Sequence, residues 1–153
     1  MKTHLIRAAI LLAASLALAL GINAVRTDGI PVIRPSKEAM ALKSGITPIH
    51  LDTAKLLLQD PKVLFIDARP HNVWKRGRIP GAVSFREENT DSLIKSFKDS
   101  VPLDRPLVTY CSGEECRSSD MLAQRLQKEG YKYIYLFFGG WVEWSQANEK
   151  VEK

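Results

Sequence analysis

Two cysteines, Cys111 and Cys116, are all that the 153 residues hold. That is too few for a disulfide scaffold or a four-ligand zinc site. Histidine is as sparse: His4, His50 and His71 are too scattered to form a metal site. No metal and no resident cofactor is expected. A strong charge of one sign is also lacking. Of the formal +5, two charges, Lys2 and Arg7, belong to the N-terminal segment, and the remainder is mixed with acids. So weak an excess gives no ground for a nucleic-acid partner. Internal repeats and low-complexity segments are missing as well. What remains is an ordinary globular balance, 45% hydrophobic and 25% charged, at a length suited to one domain with some extra chain.

Residues 1–25 form a targeting segment. A basic start is followed by residues 8–22 (AAILLAASLALALGI), apolar except for Ser15. A run this short suits a signal-peptide core. Extended to Val25 it just reaches the length needed to span a bilayer. Ala17, Ala19 and Ala24 are small residues that allow cleavage, so removal and retention as an anchor are both open. A soluble core helix is the weaker reading, because no polar face is present. Basic residues before the run keep the N-terminus inside, so the rest is expected outside: periplasmic, or anchored to the outer face of the cytoplasmic membrane.

Residues 26–45 carry two prolines, two glycines and scattered charge, and are expected to be a linker. A domain over residues 46–150 follows. Residues 46–49 are a short strand candidate. Asp52 or Thr53 is expected to cap a helix over residues 54–59. Residues 63–67 (VLFID) are a continuous apolar run ending in Asp67, as in parallel strands buried on both faces. A short helix is expected over residues 72–75 and a strand over 82–85. An amphipathic helix is expected over residues 87–99, with Leu93, Ile94 and Phe97 at helical spacing. Residues 106–110 (PLVTY) read as a buried strand. A helix over residues 118–129 carries Met121, Leu122 and Leu126 and ends at Gly130. Residues 133–138 (YIYLFF) are another buried strand, and the Gly139-Gly140 pair turns into a last helix with Trp144 on its core side. Strands alternating with helices define an α/β class with a parallel sheet.

Residues 110–119 (YCSGEECRSS) hold the chemistry. Cys111 stands where a buried strand ends and a loop turns into a helix. Backbone N–H groups at a helix N-terminus favour negative charge, so a thiolate there is stabilised and reactive. Gly113 is expected to give the loop a conformation closed to residues with a Cβ. Arg117 can offer a fork of donors to an oxyanion. The position also suits a structural cysteine buried after a core strand.

Four pieces, in order, resemble the rhodanese domain family. Residues 63–69 (VLFIDAR) resemble its strand ending in Asp-x-Arg. Residues 77–85 (GRIPGAVSF) resemble its Gly-His-Ile-Pro-Gly-Ala motif, with Arg78 in the histidine's place. Residues 110–119 resemble its active-cysteine loop, and residues 136–144 (LFFGGWVEW) its closing Gly-Gly-Trp-x-x-Trp motif. The resemblance implies a three-layer fold, a central parallel sheet flanked by helices, and sulfurtransferase activity. Cys111 would carry a sulfane sulfur as a persulfide between a small sulfur donor and a thiol acceptor, or a protein persulfide partner. N–H groups of Ser112, Gly113, Glu114, Glu115, Cys116 and Arg117 would cradle it, and Arg117 would hold an anionic donor. Asp67 and Arg69 would support the loop, as a structural ion pair at the strand end.

Two departures bear on this reading. Five residues separate Cys111 from Arg117, where common sulfurtransferase loops have four before their arginine. The longer loop is similar to those of rhodanese-fold phosphatases and arsenate reductases. Cys116 is the other departure. Exported rhodanese-like proteins with a Cys-x-Gly-x-x-Cys loop look similar to this chain, and there Cys116 would be a resolving thiol or a bystander. A thiol redox protein using both cysteines, and a phosphatase or arsenate reductase of the rhodanese fold, are therefore alternative functions.

Overall fold

The computed structural model describes residues 2–26, 37–85 and 91–153. The chain divides into two units. The first contains a helix, α1 (Lys2–Val25), 24 residues long with no buried residue; an 18-residue stretch of it has mean hydropathy 2.3, apolar and long enough to cross a membrane. It is a candidate signal or anchor.

The second unit begins at Ser36. Its elements are α2 (Lys37–Lys43), β1 (Thr47–Ile49), α3 (Leu51–Leu58), β2 (Leu64–Asp67), α4 (His71–Trp74), β3 (Val83–Ser84), α5 (Asp91–Ser100), β4 (Leu107–Tyr110), α6 (Ser118–Lys128), β5 (Ile134–Phe137) and α7 (Gly140–Gln146). The strands form one sheet in the order β1-β5-β4-β2-β3, every pair parallel. β4 lies at its centre, which is why all four of its residues are buried and why its sequence shows no polar alternation.

Side chains alternate across a strand, so β4 feeds two cores. Leu107 joins Ile66, Leu136, Leu122 and Leu126 on one side; Val108 and Tyr110 join Phe65, Phe137, Ala54 and Trp144 on the other. Leu122 and Leu126 of α6 are fully enclosed, each worth about 1.5–3 kcal/mol of burial. Helices on both faces make the three-layer α/β/α fold that the motifs implied.

Several local expectations are corrected. α3 begins at Leu51 with His50 at the cap position and no side-chain cap bond, so Asp52 and Thr53 lie inside its first turn. Leu93 and Met121 are exposed although helically spaced with core residues. Within the stretch expected as a linker, residues 37–43 form α2, and Ala41 is fully buried in the core beside Ile46. Residues 27–36 of that stretch lie outside the described residues, as do residues 87–90 at the start of the helix expected over 87–99.

Candidate active site

β2, β4 and β5 end on the same edge of the sheet, and Asp67, Cys111 and the Gly139-Gly140 pair all follow from those ends. In open parallel sheets ligand sites form along this edge. Cys111 is only 3% exposed. In its loop Ser112, Glu114, Glu115 and Arg117 face solvent, while Gly113 and Cys116 are half-buried. Cys111 and Cys116 are joined as a disulfide, with Cα atoms 6.1 Å apart. The Cys116 N–H donates to the Gly113 carbonyl at 3.0 Å, so the loop folds back on itself as a tight turn. Arg117 then takes the N-cap position of α6 in helical geometry, without a side-chain cap bond.

The loop is held from outside by α7. The Trp141 N–H donates to the Cys111 carbonyl at 2.8 Å and the Val142 N–H to the Ser112 carbonyl at 2.9 Å. This approach depends on Gly140, whose φ is +54° and where an added Cβ would collide with the Cys111 carbonyl. The expectation for Gly113 is corrected here. Its φ is not in the left-handed region, and an added Cβ would lie 3.6 Å from the Gly139 carbonyl oxygen, an ordinary contact. The special backbone belongs to the closing motif, not to the cysteine loop. The cradle expected from every N–H of residues 112–117 is corrected as well, because the Cys116 N–H is spent on Gly113. The N–H groups of Ser112, Gly113, Glu114, Glu115 and Arg117 have no backbone acceptor among the described residues.

Beneath the loop lies a closed polar network. Asp67 and Arg69 are 0% and 1% exposed. Arg69 donates to the Asp67 carboxylate through its backbone N–H (2.9 Å), Nε (3.0 Å) and Nη2 (2.6 Å), and Nη2 also reaches the Gly77 carbonyl at 2.7 Å. The Tyr110 hydroxyl donates to Asp67 Oδ2 at 2.7 Å and accepts the Ile79 N–H at 3.2 Å. Burial, then the Asp67 charge, pushes the Tyr110 hydroxyl well above the usual tyrosine range, which keeps it a donor. The Arg69 guanidinium stacks on the Trp141 ring at 4.4 Å. No buried side-chain nitrogen or oxygen lacks a partner among the described residues. This is the geometry of a structural ion pair. It ties β2, the residue before Cys111 and the residue after Gly140 into one unit.

The remaining candidates lie elsewhere. His71 stacks on Trp74 and its Nδ1 lies 3.2 Å from Ser84 Oγ; His50 pairs with Glu38 at 3.2 Å. Arg78 stacks on Trp74 at 4.1 Å and pairs with Glu152, whose carboxylate also accepts the Gly81 N–H at 2.7 Å. Those two bonds, Gly81 first, hold Glu152 below the usual carboxylate range. Among the described residues no cluster of His, Cys, Asp or Glu could hold a metal ion. Residue-level reading missed Gly140, Tyr110 and Trp141 as site-building residues. The glycine pair and the aromatic after it were the available signal, but a close backbone approach is visible only in three dimensions.

A parallel sheet with a cysteine loop at its carboxyl edge defines a cysteine-bearing α/β domain, and its likeness to known proteins is specific. The family model described as rhodanese-like domain matches residues 50–147. Thiosulfate sulfurtransferase GlpE of Shewanella oneidensis is 32% identical over 101 residues, covering 65% of this chain and 94% of that protein. Among solved structures, the polysulfide-sulfur transferase homodimer of Wolinella succinogenes is similar, with a TM-score of 0.57 and 20% identity over 75% of this chain and 85% of that one. So is RPA3614 of Rhodopseudomonas palustris, described as a possible tyrosine phosphatase, with a TM-score of 0.58 and 25% identity over 81% of this chain and 100% of that one. The chain belongs to the rhodanese-like domain family.

Proposed function

We propose that the protein is a sulfurtransferase that carries sulfane sulfur on Cys111. The observation that carries this reading is the position of Cys111: at the end of the central buried strand, enclosed by its loop, and just ahead of an 11-residue helix. With the disulfide opened, the Cys111 thiolate attacks the outer sulfur of a donor such as thiosulfate. The donor's S–S bond breaks, sulfite leaves with the electron pair, and Cys111 becomes a persulfide. An acceptor thiolate then attacks the outer sulfur and regenerates Cys111. The negative charge on the persulfide is stabilised by the N–H groups of the loop that have no backbone acceptor, those of Gly113, Glu114 and Glu115 among them, and by the N-terminus of α6. Arg117 supplies a charged donor to an anionic substrate. Asp67 and Arg69 fix the strand end and do not touch substrate. The relative named thiosulfate sulfurtransferase supports the donor class.

A second reading, a dithiol–disulfide redox protein, draws on the Cys111–Cys116 disulfide. Intact mass separates the two. After reduction and exposure to thiosulfate, a Cys116→Ser chain gains one sulfur atom on Cys111 if sulfur transfer is right, and Cys111→Ser gains none. Absence of sulfur uptake by Cys116→Ser sinks the sulfurtransferase reading. The α1 helix further supports export, with the domain on the outer face of the membrane or released from it. A reporter active only outside the cytoplasm, fused after Lys153, should be active; activity of a cytoplasm-only reporter there would overturn export.

A further inference from the structure

Sulfur transfer as proposed uses Cys111 and leaves Cys116 without a role, yet the two sulfurs are bonded to each other. We infer that Cys116 resolves the persulfide. Its thiolate attacks the inner sulfur, the Cys111 Sγ, closes the disulfide and expels hydrosulfide, so the domain acts as a sulfide-releasing reductase of sulfane sulfur. This rests on the persulfide reading above.

The step balances. The bond formed joins Cys116 Sγ to Cys111 Sγ. The bond broken joins Cys111 Sγ to the outer sulfur, which takes the electron pair. The proton lost by the Cys116 thiol ends on the outer sulfur, which departs as HS⁻. The sulfane sulfur is reduced to sulfide, and the two cysteine thiols are oxidised to a disulfide. A dithiol then reopens the disulfide by exchange and is itself oxidised. Hydrosulfide is a weaker base than a cysteine thiolate, and weaker bases leave faster in thiol exchange.

Geometry favours this route over attack from solvent. The cysteine Cα atoms are 6.1 Å apart, inside the range that needs no backbone movement to bridge. Besides the disulfide, the loop is held by bonds that do not involve sulfur: Trp141 N–H on the Cys111 carbonyl, Val142 N–H on the Ser112 carbonyl, and Cys116 N–H on the Gly113 carbonyl. None of the three needs the disulfide, and with them kept the Cys116 thiol stays within reach of Cys111 after reduction. Cys116 also packs against the core and lines one small space with Leu136 and Phe138, which restricts its side chain. A tethered nucleophile acts at an effective concentration of ~mM or more.

The test uses the full chain, reduced with a dithiol, freed of it without oxygen, and then given thiosulfate with no added thiol. Expected for the parent is one sulfide released per chain and an intact mass lower by two hydrogens. Cys116→Ser, and Cys116→Ala as a second choice of side chain, should keep the added sulfur and release sulfide only at the level of Cys111→Ser. A parent that gains sulfur, keeps it and releases no sulfide overturns the resolving step alone. Equal sulfide release from parent and Cys116 variants also overturns it. No sulfur uptake by either Cys116 variant instead overturns the persulfide reading beneath it.

Discussion

The Trp141 N–H donates to the Cys111 carbonyl at 2.8 Å, so the strand-end cysteine is positioned by the first turn of α7 as much as by its own loop. The closing glycine pair and the cysteine loop, distant from each other in sequence, are therefore one structural device.

Gly140 is the position where this device is most easily broken. Gly140→Ala puts a Cβ against the Cys111 carbonyl in a left-handed backbone. The strain alone costs about 1–3 kcal/mol, and the loop must shift further to relieve the clash. Sulfite release from thiosulfate should fall sharply and the melting temperature should drop. Gly113→Ala should melt close to the parent. Equal loss of stability in both variants would show that the cysteine loop, not α7, carries the backbone constraint.

The Asp67–Arg69–Tyr110 network should answer to single and paired replacement in opposite ways. Asp67→Leu or Arg69→Met leaves a buried charge without its partner, at a cost of about 3–5 kcal/mol. Asp67→Leu with Arg69→Met should cost less than the two single losses added together. Tyr110→Phe removes one donor to Asp67 and the acceptor of the Ile79 N–H, worth about 1–3 kcal/mol. Denaturant unfolding measures all four. Additive losses for the pair would mean the groups do not interact.

Glu152 predicts a pH dependence. Its carboxyl is held below the ordinary range in the folded chain by the Gly81 N–H and by Arg78. A lowered folded-state value means that the stabilisation is fully present above the unfolded carboxylate range. It is lost as pH falls through the folded value. The stability gap between parent and Glu152→Gln should therefore be constant near neutrality and close in acid. A gap that stays open in acid would show that the charge of Glu152 is not what binds it to the loop of Arg78 and Gly81.

Arg117 and the two acids beside it predict substrate charge preference. Arg117→Ala should raise the Michaelis constant for thiosulfate more than for a neutral persulfide donor. Glu114→Gln with Glu115→Gln should lower it, since two exposed acids repel a dianion. Phosphate monoester cleavage would need an acid to protonate the leaving oxygen, whereas a sulfur leaving group departs more readily without one. Aryl phosphate hydrolysis by the parent should accordingly stay small. Efficient, Cys111-dependent phosphate release would reverse this ordering.

The sequence by itself determined the sheet and the seat of the cysteine. Buried parallel strands read as unbroken apolar runs, and residues 63–67, 106–110 and 133–138 each contain one. Helical spacing likewise located α6, and Leu122 and Leu126 are its fully buried pair. The same spacing put Leu93 and Met121 among core candidates. They are exposed because a helix buries only the stripe that a neighbour covers, and the neighbour is not written in the helix. Only the tertiary structure decided that Ala41 belongs to the core, that Gly140 rather than Gly113 needs its freedom, and that Tyr110 and Trp141 enclose the Asp67–Arg69 pair. Each of these depends on two segments distant in sequence meeting at van der Waals or hydrogen-bond distance. Composition and periodicity describe one segment at a time, and such meetings are fixed only when the sheet order brings the ends of β2, β4 and β5 together.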